Sequence, residues 1–222
     1  METVVFFDVD GTLLRGNINS LLIWNLYKKR VISPVLLFRA SFWYALWWLG
    51  FYSDLNIIAR KGARELTGMS REKLDEIFDR VFEVEVKRRI YKEGEQLIRD
   101  HQGQGHEVVL LSSSFEPFIR KIAEFFKLPY IATRLSLADD IYTGEIMGDV
   151  VGGNKHRIVR AYLDGRDANA TYAYTDHYQD IELLEIVTHP FAVNPDSRLE
   201  NIARVRRWPI LRFSRMLGDG SQ

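Results

Sequence analysis

The sequence has no cysteine and no excess of charge of either sign. Without cysteine, the chain can form no disulfide, no thiolate metal site and no thiol nucleophile. A lack of cysteine suits a reducing compartment, so we expect a cytoplasmic protein. A formal net charge of zero at pH 7 argues against a nucleic-acid partner, because phosphate backbones are bound by an excess of Lys and Arg.

The N-terminus also lacks the features of a secretory signal. No basic region precedes the first apolar run, and that run ends in acidic residues. The 222 residues are 46% hydrophobic, which is enough for one sizeable domain or for a core domain with a smaller inserted one.

The first apolar run leads into two closely spaced acids. Residues 3–7 are apolar or β-branched, which predicts a strand buried on both faces. Asp8 follows at the carboxyl end of this strand, where parallel α/β sheets place their ligand crevices. Asp10 comes two residues later, and Gly11 permits a sharp turn after it.

This pair of acids points to a bound cation. Two carboxylates so close repel each other unless a positive charge lies between them, and hard oxygen ligands favour Mg²⁺. With the metal present, one carboxylate can attack phosphorus while the other handles the proton. An EF-hand calcium loop would need more acids than Thr12-Leu13-Leu14 provides, and a plain turn would explain only one Asp.

The segment between the first and second predicted strands is helical. Asn17 or Asn19 caps a helix that ends near Lys28, a second helix runs from Pro34 to Trp48, and a third spans about 53–66. Ser70 resembles an N-cap, and apolar residues follow it at helical spacing. We expect residues 16–93 to form a helical cap domain, inserted into a core made of residues 1–15 and 94–222.

Residues 31–52 are unusually apolar and aromatic, with Trp43, Trp47 and Trp48 close together and basic residues before them. A membrane span is disfavoured, because one crossing would separate two strands of the same sheet, and Arg39 would cost about 2.5–3.5 kcal/mol. Three alternatives stay open: a buried cap helix, a homodimer face, and a peripheral contact with lipid at the inner membrane face.

Three further segments carry polar residues after predicted strands. Residues 107–115 form a buried strand that ends in Ser112, Ser113 and Ser114, and hydroxyls beside helix-start amides suit an anionic oxygen or a simple N-cap. Lys155 follows two glycines at a helix start, although most lysines are only solvated surface groups. Asp176 and Asp180 form a second acidic pair that can supply metal oxygens.

These segments resemble the four motifs of the haloacid dehalogenase superfamily of phosphatases, in the family's order. Asp8-Val9-Asp10-Gly11-Thr12-Leu13 resembles the first motif, and Ser112 falls at the phosphate-binding position of the second. Lys155 resembles the third motif, and Asp176 with Asp180 resembles the fourth, in which His177 replaces the usual Gly or Ser. The large helical insert resembles the type IB branch, which includes phosphoserine phosphatases and a phosphatidylglycerophosphatase.

The resemblance implies an α/β fold: a Rossmann-like parallel-sheet core with an inserted helical cap. It also implies a Mg²⁺-dependent phosphomonoester phosphatase with a phosphoaspartate intermediate. The implied nucleophile is Asp8 and the implied acid–base residue is Asp10. The implied metal ligands are Asp8, Asp10, Asp176 and Asp180, and the implied substrate contacts are Asn17, Ser112, Ser113 and Lys155.

The substrate stays open at this point. Serine-specific relatives carry Glu where Asn17 stands, so phosphoserine is disfavoured, and the aromatic cap favours a lipid or other amphiphilic phosphate. A phosphatase for small soluble metabolites is one alternative. A non-catalytic dimeric scaffold is another, although a scaffold has no need of six polar groups at strand ends.

Overall fold

The computed structural model of the protein describes residues 2–28, 42, 55–148 and 151–219. A parallel sheet of six strands in the order β3-β2-β1-β6-β7-β8 organises these residues. The strands are β1 (Glu2–Phe7), β2 (Glu107–Phe115), β3 (Tyr130–Thr133), β6 (Ala168–Thr175), β7 (His189–Val193) and β8 (Ile210–Leu211). In the chain, β3 is followed by a separate antiparallel hairpin, which consists of β4 (Leu135–Ala138) and β5 (Ile141–Ile146) and precedes β6.

Eight α-helices accompany the strands within the described residues. They are α1 (Ile18–Lys28), α2 (Leu55–Arg64), α3 (Arg71–Val81), α4 (Lys92–Gly103), α5 (Glu116–Phe126), α6 (Lys155–Leu163), α7 (Ile181–Ile186) and α8 (Ser197–Arg206).

β1 lies in the interior of the sheet, and both of its faces are covered. Val5 and Phe7 pack into a core that includes residues of α3, α4 and α5, whereas Val4 and Phe6 pack against residues of α6, α7 and α8. Strands covered on both faces need an apolar residue at every position, which explains the uninterrupted run at the start of the chain. The prediction of a parallel α/β core is confirmed.

The segment between β1 and β2 is largely helical where it is described. Ser70 accepts a hydrogen bond from the backbone N–H of Lys73 at 3.3 Å, so the expected N-cap of α3 is present. The apolar face of α3 packs on α5, with the rings of Phe78 and Phe118 stacked 5.0 Å apart. The division into a cap of 16–93 and a core stays a prediction.

Two other expected helices compare differently with the structure. The helix predicted at about 53–66 is observed as α2, and it contacts the hairpin, where Gly68 N–H donates to the Tyr142 carbonyl at 2.9 Å. The helix predicted from Pro34 to Trp48 lies outside the described residues. Within the described residues, no helix combines the length and apolar character needed to cross a bilayer.

The structure ends the sheet with β8, a strand that the sequence did not predict. This two-residue strand pairs with Ala192 and Val193 of β7. Two residues are too few to show the alternation that indicates a strand. The tail is fixed instead by tertiary contacts, since the side-chain amide of Asn194 hydrogen-bonds both the N–H and the carbonyl of Phe213.

Candidate active site

The site lies at the carboxyl ends of β1, β2 and β6. β1 pairs directly with β6, and Asp8 N–H continues the pairing by donating to the Tyr174 carbonyl at 3.0 Å. This register brings Asp8, which follows β1, to the same edge of the sheet as Asp176, which follows β6. Two acids 168 positions apart in the sequence therefore share one crevice.

The hydroxyl of Thr12 connects these two acids. Thr12 is fully buried, and its Oγ1 lies 3.2 Å from Asp176 Oδ1 and 3.5 Å from Asp8 Oδ2. The Asp176 carboxylate also lies against Gly11, where a Cβ would overlap it, and the φ of +79° at Gly11 suits glycine. The tight turn after β1 is thus shaped to admit the acid from β6.

Lys155 is the cation of the site. It is the first residue of α6, it is buried, and its Nζ lies 2.8 Å from Asp8 Oδ1 and 2.7 Å from Asp180 Oδ2. Burial alone would lower the pKa of Lys155, but the charges of Asp180 and Asp8 outweigh it and raise that pKa above its ordinary value. Lys155 is therefore charged and holds the Asp8 carboxylate in place.

The side chain of Asp180 is already committed to protein contacts through Oδ2. This atom accepts hydrogen bonds from both Lys155 Nζ and Thr175 Oγ1. The structure therefore places Asp180 behind Lys155, where it orients the ammonium group toward Asp8.

Asp8 and Asp176 carry an uncompensated electrostatic cost. Burial raises the pKa of Asp8, which Lys155 offsets only in part. Burial, followed by repulsion from Asp8, raises the pKa of Asp176 well above its ordinary value. Both changes indicate that Lys155 compensates the charge of these two carboxyl groups only in part.

Asp10 occupies a separate position beside the first turn of α1. Its Oδ1 accepts a hydrogen bond from the N–H of Ile18 at 2.5 Å, and its Oδ2 accepts one from the Ser114 hydroxyl at 2.6 Å. Burial raises the pKa of Asp10 to about 6, against these hydrogen bonds. A carboxyl group with a pKa in this range can both give and take a proton near neutral pH.

The three serines of β2 do not face the same way. Ser112 and Ser114 are buried, whereas Ser113 between them is exposed. The Oγ of Ser112 accepts a hydrogen bond from Ser114 N–H at 3.1 Å. Asn17 caps its own helix, since its Oδ1 accepts from Ser20 N–H at 3.2 Å. The substrate contacts predicted for Asn17, Ser112 and Ser113 stay predictions.

His177 is partly buried next to Asp176. Its Nδ1 accepts a hydrogen bond from the N–H of Gln179 at 3.3 Å, and burial lowers the pKa of the imidazole. A neutral His177 therefore shapes the turn after β6 without adding a charge to the crevice.

The chemistry of the donor set fits a small divalent cation. Asp8 and Asp176 present carboxylate oxygens to one hydroxyl and are short of positive charge. Across the described residues, no three His, Asp or Glu side chains form a complete metal cluster. Mg²⁺ commonly takes only one or two protein carboxylates and fills its other positions with water and substrate phosphate. Two acids would therefore suffice.

Sequence reasoning missed the hydrogen bonds that Thr12, Ser114 and Thr175 make with the acids of the site. Ser114 could have been found, because alternate residues of a strand face the same side and Ser112 had already been assigned to the site. The hydroxyl of Thr12, by contrast, is placed by the pairing of β1 with β6, which no local pattern shows.

Several known proteins are similar to this chain over most of its length. Residues 5–185 match the family of haloacid dehalogenase-like hydrolases. The chain is 30% identical to the "Inhibition of morphological differentiation protein" of Streptomyces azureus, over 96% of this chain and 79% of that protein. It is 27% identical to the phosphoserine phosphatase SerB1 of Mycobacterium tuberculosis, over 96% of this chain and 71% of that protein.

A solved structure extends the similarity to three dimensions. A protein of unknown function from Bordetella pertussis Tohama I superposes with a TM-score of 0.85 at 25% sequence identity. The superposition covers 95% of this chain and 98% of the other.

Proposed function

The chain belongs to the haloacid dehalogenase-like hydrolase family and is a phosphatase of its phosphoserine-phosphatase-like branch, and we propose that it hydrolyses phosphate monoesters through a phosphorylated Asp8. The observation that carries this proposal is the ion pair between Lys155 Nζ and Asp8 Oδ1 at 2.8 Å. It offsets part of the cost of burying the Asp8 carboxylate and orients that carboxylate at the mouth of β1, where the proposed nucleophile must lie.

In the first step, a carboxylate oxygen of Asp8 forms a bond to phosphorus. The bond between phosphorus and the ester oxygen breaks on the opposite side, and Asp10 gives its proton to that oxygen, so an alcohol leaves. In the second step, water attacks the phosphorus of the phosphoaspartate while Asp10 takes a proton from it. Inorganic phosphate leaves, and both acids return to their starting states.

A divalent cation, Mg²⁺, completes the site in this proposal. Asp8, Asp176 and the backbone oxygen of Asp10 would hold it, with Asp180 close by. When bound, it offsets the charges of the carboxylates and of the substrate phosphate, which would otherwise repel each other. Lys155 lies beside Oδ1 of Asp8, so the protein itself neutralises only part of this charge.

The remaining phosphoryl contacts come from residues around the crevice. Ser112 is buried at the adjacent strand end, and its Oγ lies beside the amide of Ser114. Its hydroxyl and the ammonium of Lys155 would bind phosphoryl oxygens, and Ser113 and Asn17 are the further substrate contacts in this proposal.

The substrate is a lipid or other amphiphilic phosphate in this proposal. The described part of the cap supports it through Trp24, which is 49% exposed on α1 with Lys28 Nζ 5.3 Å from its ring. An aromatic ring beside a basic residue suits the interface of an anionic membrane. Flotation with anionic and neutral vesicles tests this, and the Trp24→Ala variant should bind anionic vesicles less. No flotation with either vesicle, together with fast turnover of a soluble ester, would eliminate it.

A small soluble phosphate monoester is the second candidate. It is favoured by the relative named phosphoserine phosphatase. A panel of lipid and soluble phosphate monoesters, assayed with Mg²⁺ and with chelator, separates the two.

The same panel tests the chemistry. Asp8→Asn should abolish turnover of every ester in the panel, and the variant should still fold, as a cooperative thermal melt would show. An Asp8→Asn variant that hydrolyses an aryl phosphate at the native rate would refute the mechanism.

A further inference from the structure

The hydroxyl of Ser114 lies between the proposed acid–base residue and the inserted segment. Ser114 is 3% exposed, and its Oγ lies 2.6 Å from Asp10 Oδ2 and 3.0 Å from the side-chain nitrogen of Asn19. Asn19 is in the first turn of α1, which precedes the rest of the inserted segment. Three polar side chains from three parts of the chain therefore form one hydrogen-bonded row.

The direction of the hydrogen bonds in this row is fixed by chemistry. The side-chain NH₂ of Asn19 can only donate, so the Ser114 oxygen must accept from it. The single hydroxyl hydrogen of Ser114 is then free to point at Asp10. The row runs one way, from the amide through the hydroxyl to the carboxyl group.

Asp10 is consequently held at both oxygens. Ile18 N–H donates to Oδ1 at 2.5 Å, and Ser114 Oγ donates to Oδ2 at 2.6 Å. A carboxylate has about four acceptor positions, so two stay available for the proton that Asp10 would exchange with substrate. The two hydrogen bonds fix the plane of the carboxyl group and therefore where that proton is presented.

Ser114 is itself on a well-anchored part of β2. Its N–H donates to Ser112 Oγ at 3.1 Å, and the carbonyl of the intervening Ser113 accepts from Thr133 Oγ1 at 2.9 Å. Residues that hold a reacting group act best when their own position is locked in this way.

We propose that Ser114 is a positioning residue that aims Asp10 at the leaving oxygen of the substrate, and that Asn19 orients the Ser114 hydroxyl for this task. This inference rests on the proposed function, since it needs Asp10 to act as the acid. The role proposed for Ser114 is distinct from the phosphate binding proposed for Ser112.

The experiment compares esters whose leaving groups need different amounts of acid assistance. A p-nitrophenolate leaves with little protonation, whereas the alkoxide of glycerol 2-phosphate needs a proton in the transition state. Because kcat/KM reports the steps up to formation of the phosphoenzyme, it isolates the acid role of Asp10. A purely structural defect would lower kcat/KM for both substrates by the same factor.

In Ser114→Ala, we expect kcat/KM for glycerol 2-phosphate to fall by roughly tenfold or more, against less than about threefold for p-nitrophenyl phosphate. Ser114→Thr keeps a hydroxyl and should restore most of the loss. Ser20→Ala serves as the control, because it removes an exposed hydroxyl from the turn of α1 that contains Asn19. It should change kcat/KM for neither substrate.

Asn19→Ala provides a second route should Ser114→Ala fold poorly. It should show the same preference for the good leaving group, and the double variant should lose no more than Ser114→Ala alone. Equal losses on both esters, or no loss, would overturn the role of Ser114 and Asn19.

The Asp10→Asn variant separates this proposal from the one on which it rests. It should lose activity on the alkyl ester far more than on the aryl ester. If Asp10→Asn is selective and Ser114→Ala is not, only the positioning role is overturned. If Asp10→Asn leaves the alkyl ester untouched, the acid assignment fails and the positioning role fails with it.

Discussion

Lys155 Nζ lies 2.8 Å from Asp8 Oδ1, and both side chains are buried. α6 supplies the ammonium group and the end of β1 supplies the carboxylate, so the pair joins two distant parts of the chain at the floor of the crevice. An ion pair removed from water is costly to break, because the partner that is left behind keeps its charge without compensation.

Lys155→Met should therefore destabilise the protein as well as inactivate it. It leaves Asp8 and Asp180 facing each other without their shared cation, and we expect a loss of about 3–5 kcal/mol in the free energy of unfolding. Urea denaturation without added metal measures the loss. Lys73→Met, at an exposed lysine of α3, is the matched control and should lie within about 0.5 kcal/mol of the wild type. Equal stability of the two variants would show that the buried pair contributes nothing.

Asp176→Asn, in contrast to Lys155→Met, should stabilise the metal-free protein. Burial, followed by the charge of Asp8, raises the pKa of Asp176, so removing its charge should raise the free energy of unfolding at neutral pH. At this group the folded state binds more protons than the unfolded state above pH 3.8, so the contribution of Asp176 to wild-type stability should fall as the pH rises from there. The variant should lack this contribution.

Added Mg²⁺ should make the wild type more stable than Asp176→Asn. The cation should raise the melting temperature of the wild type and leave Asp176→Asn almost unchanged, because the variant has lost a ligand. A variant that gains as much from Mg²⁺ as the wild type would exclude Asp176 from the metal site.

Gly11→Ala should abolish activity, whereas Gly105→Ala should not. Both glycines have a positive φ, +79° and +78°, so both substitutions should cost about 1–2 kcal/mol in backbone strain. Only at Gly11 would the new Cβ overlap the Asp176 carboxylate, since nothing lies within 4 Å at Gly105. Turnover and thermal melts of the two variants separate strain from damage to the site. Equal activity in both would mean that Asp176 can move without consequence.

His101 should make the fold sensitive to mild acid. Its Nε2 hydrogen-bonds the Tyr174 hydroxyl at 2.9 Å and its Nδ1 hydrogen-bonds His106 at 2.8 Å; burial, followed by the charge of His106, lowers its pKa. The unfolded chain then binds more protons, so this contribution is present above pH 6.5 and is lost as the pH falls below it. The two test conditions, about pH 7.5 and about pH 5.5, lie on either side of the ordinary histidine pKa. The free energy of unfolding at the higher pH minus that at the lower pH should be smaller in His101→Gln than in the wild type. An unchanged difference would assign the acid sensitivity elsewhere.

The sequence predicted correctly which strand ends lie next to one another in the sheet. The apolar run of β1, the strand that ends in Ser112 and the segment before Asp176 each end at a polar residue, and the structure places all three side by side. Neighbouring parallel strands end at one edge of the sheet, so the order of the motifs was enough to bring their side chains together.

The contacts that tune the site could not be predicted in the same way. The link from Asn19 to Ser114 joins a helix to a strand 95 positions away, and the turn at Gly11 has meaning only once Asp176 lies against it. These contacts depend on how the elements pack, which hydrophobic periodicity does not encode. For residues 31–52, the composition left a buried helix, a dimer face and a lipid contact open, and all of this segment except Phe42 lies outside the described residues.

The central claim is that Asp8 becomes covalently phosphorylated, and chemical trapping of the enzyme during turnover tests it most directly. Acid quench followed by borohydride reduction converts a phosphoaspartate to homoserine, which peptide mass spectrometry can locate in the sequence. We predict homoserine at position 8 in the wild type incubated with substrate and Mg²⁺, and none in Asp8→Asn or without substrate. Steady release of phosphate with an unmodified position 8, or with the phosphoryl group on Ser112 instead, would contradict the account.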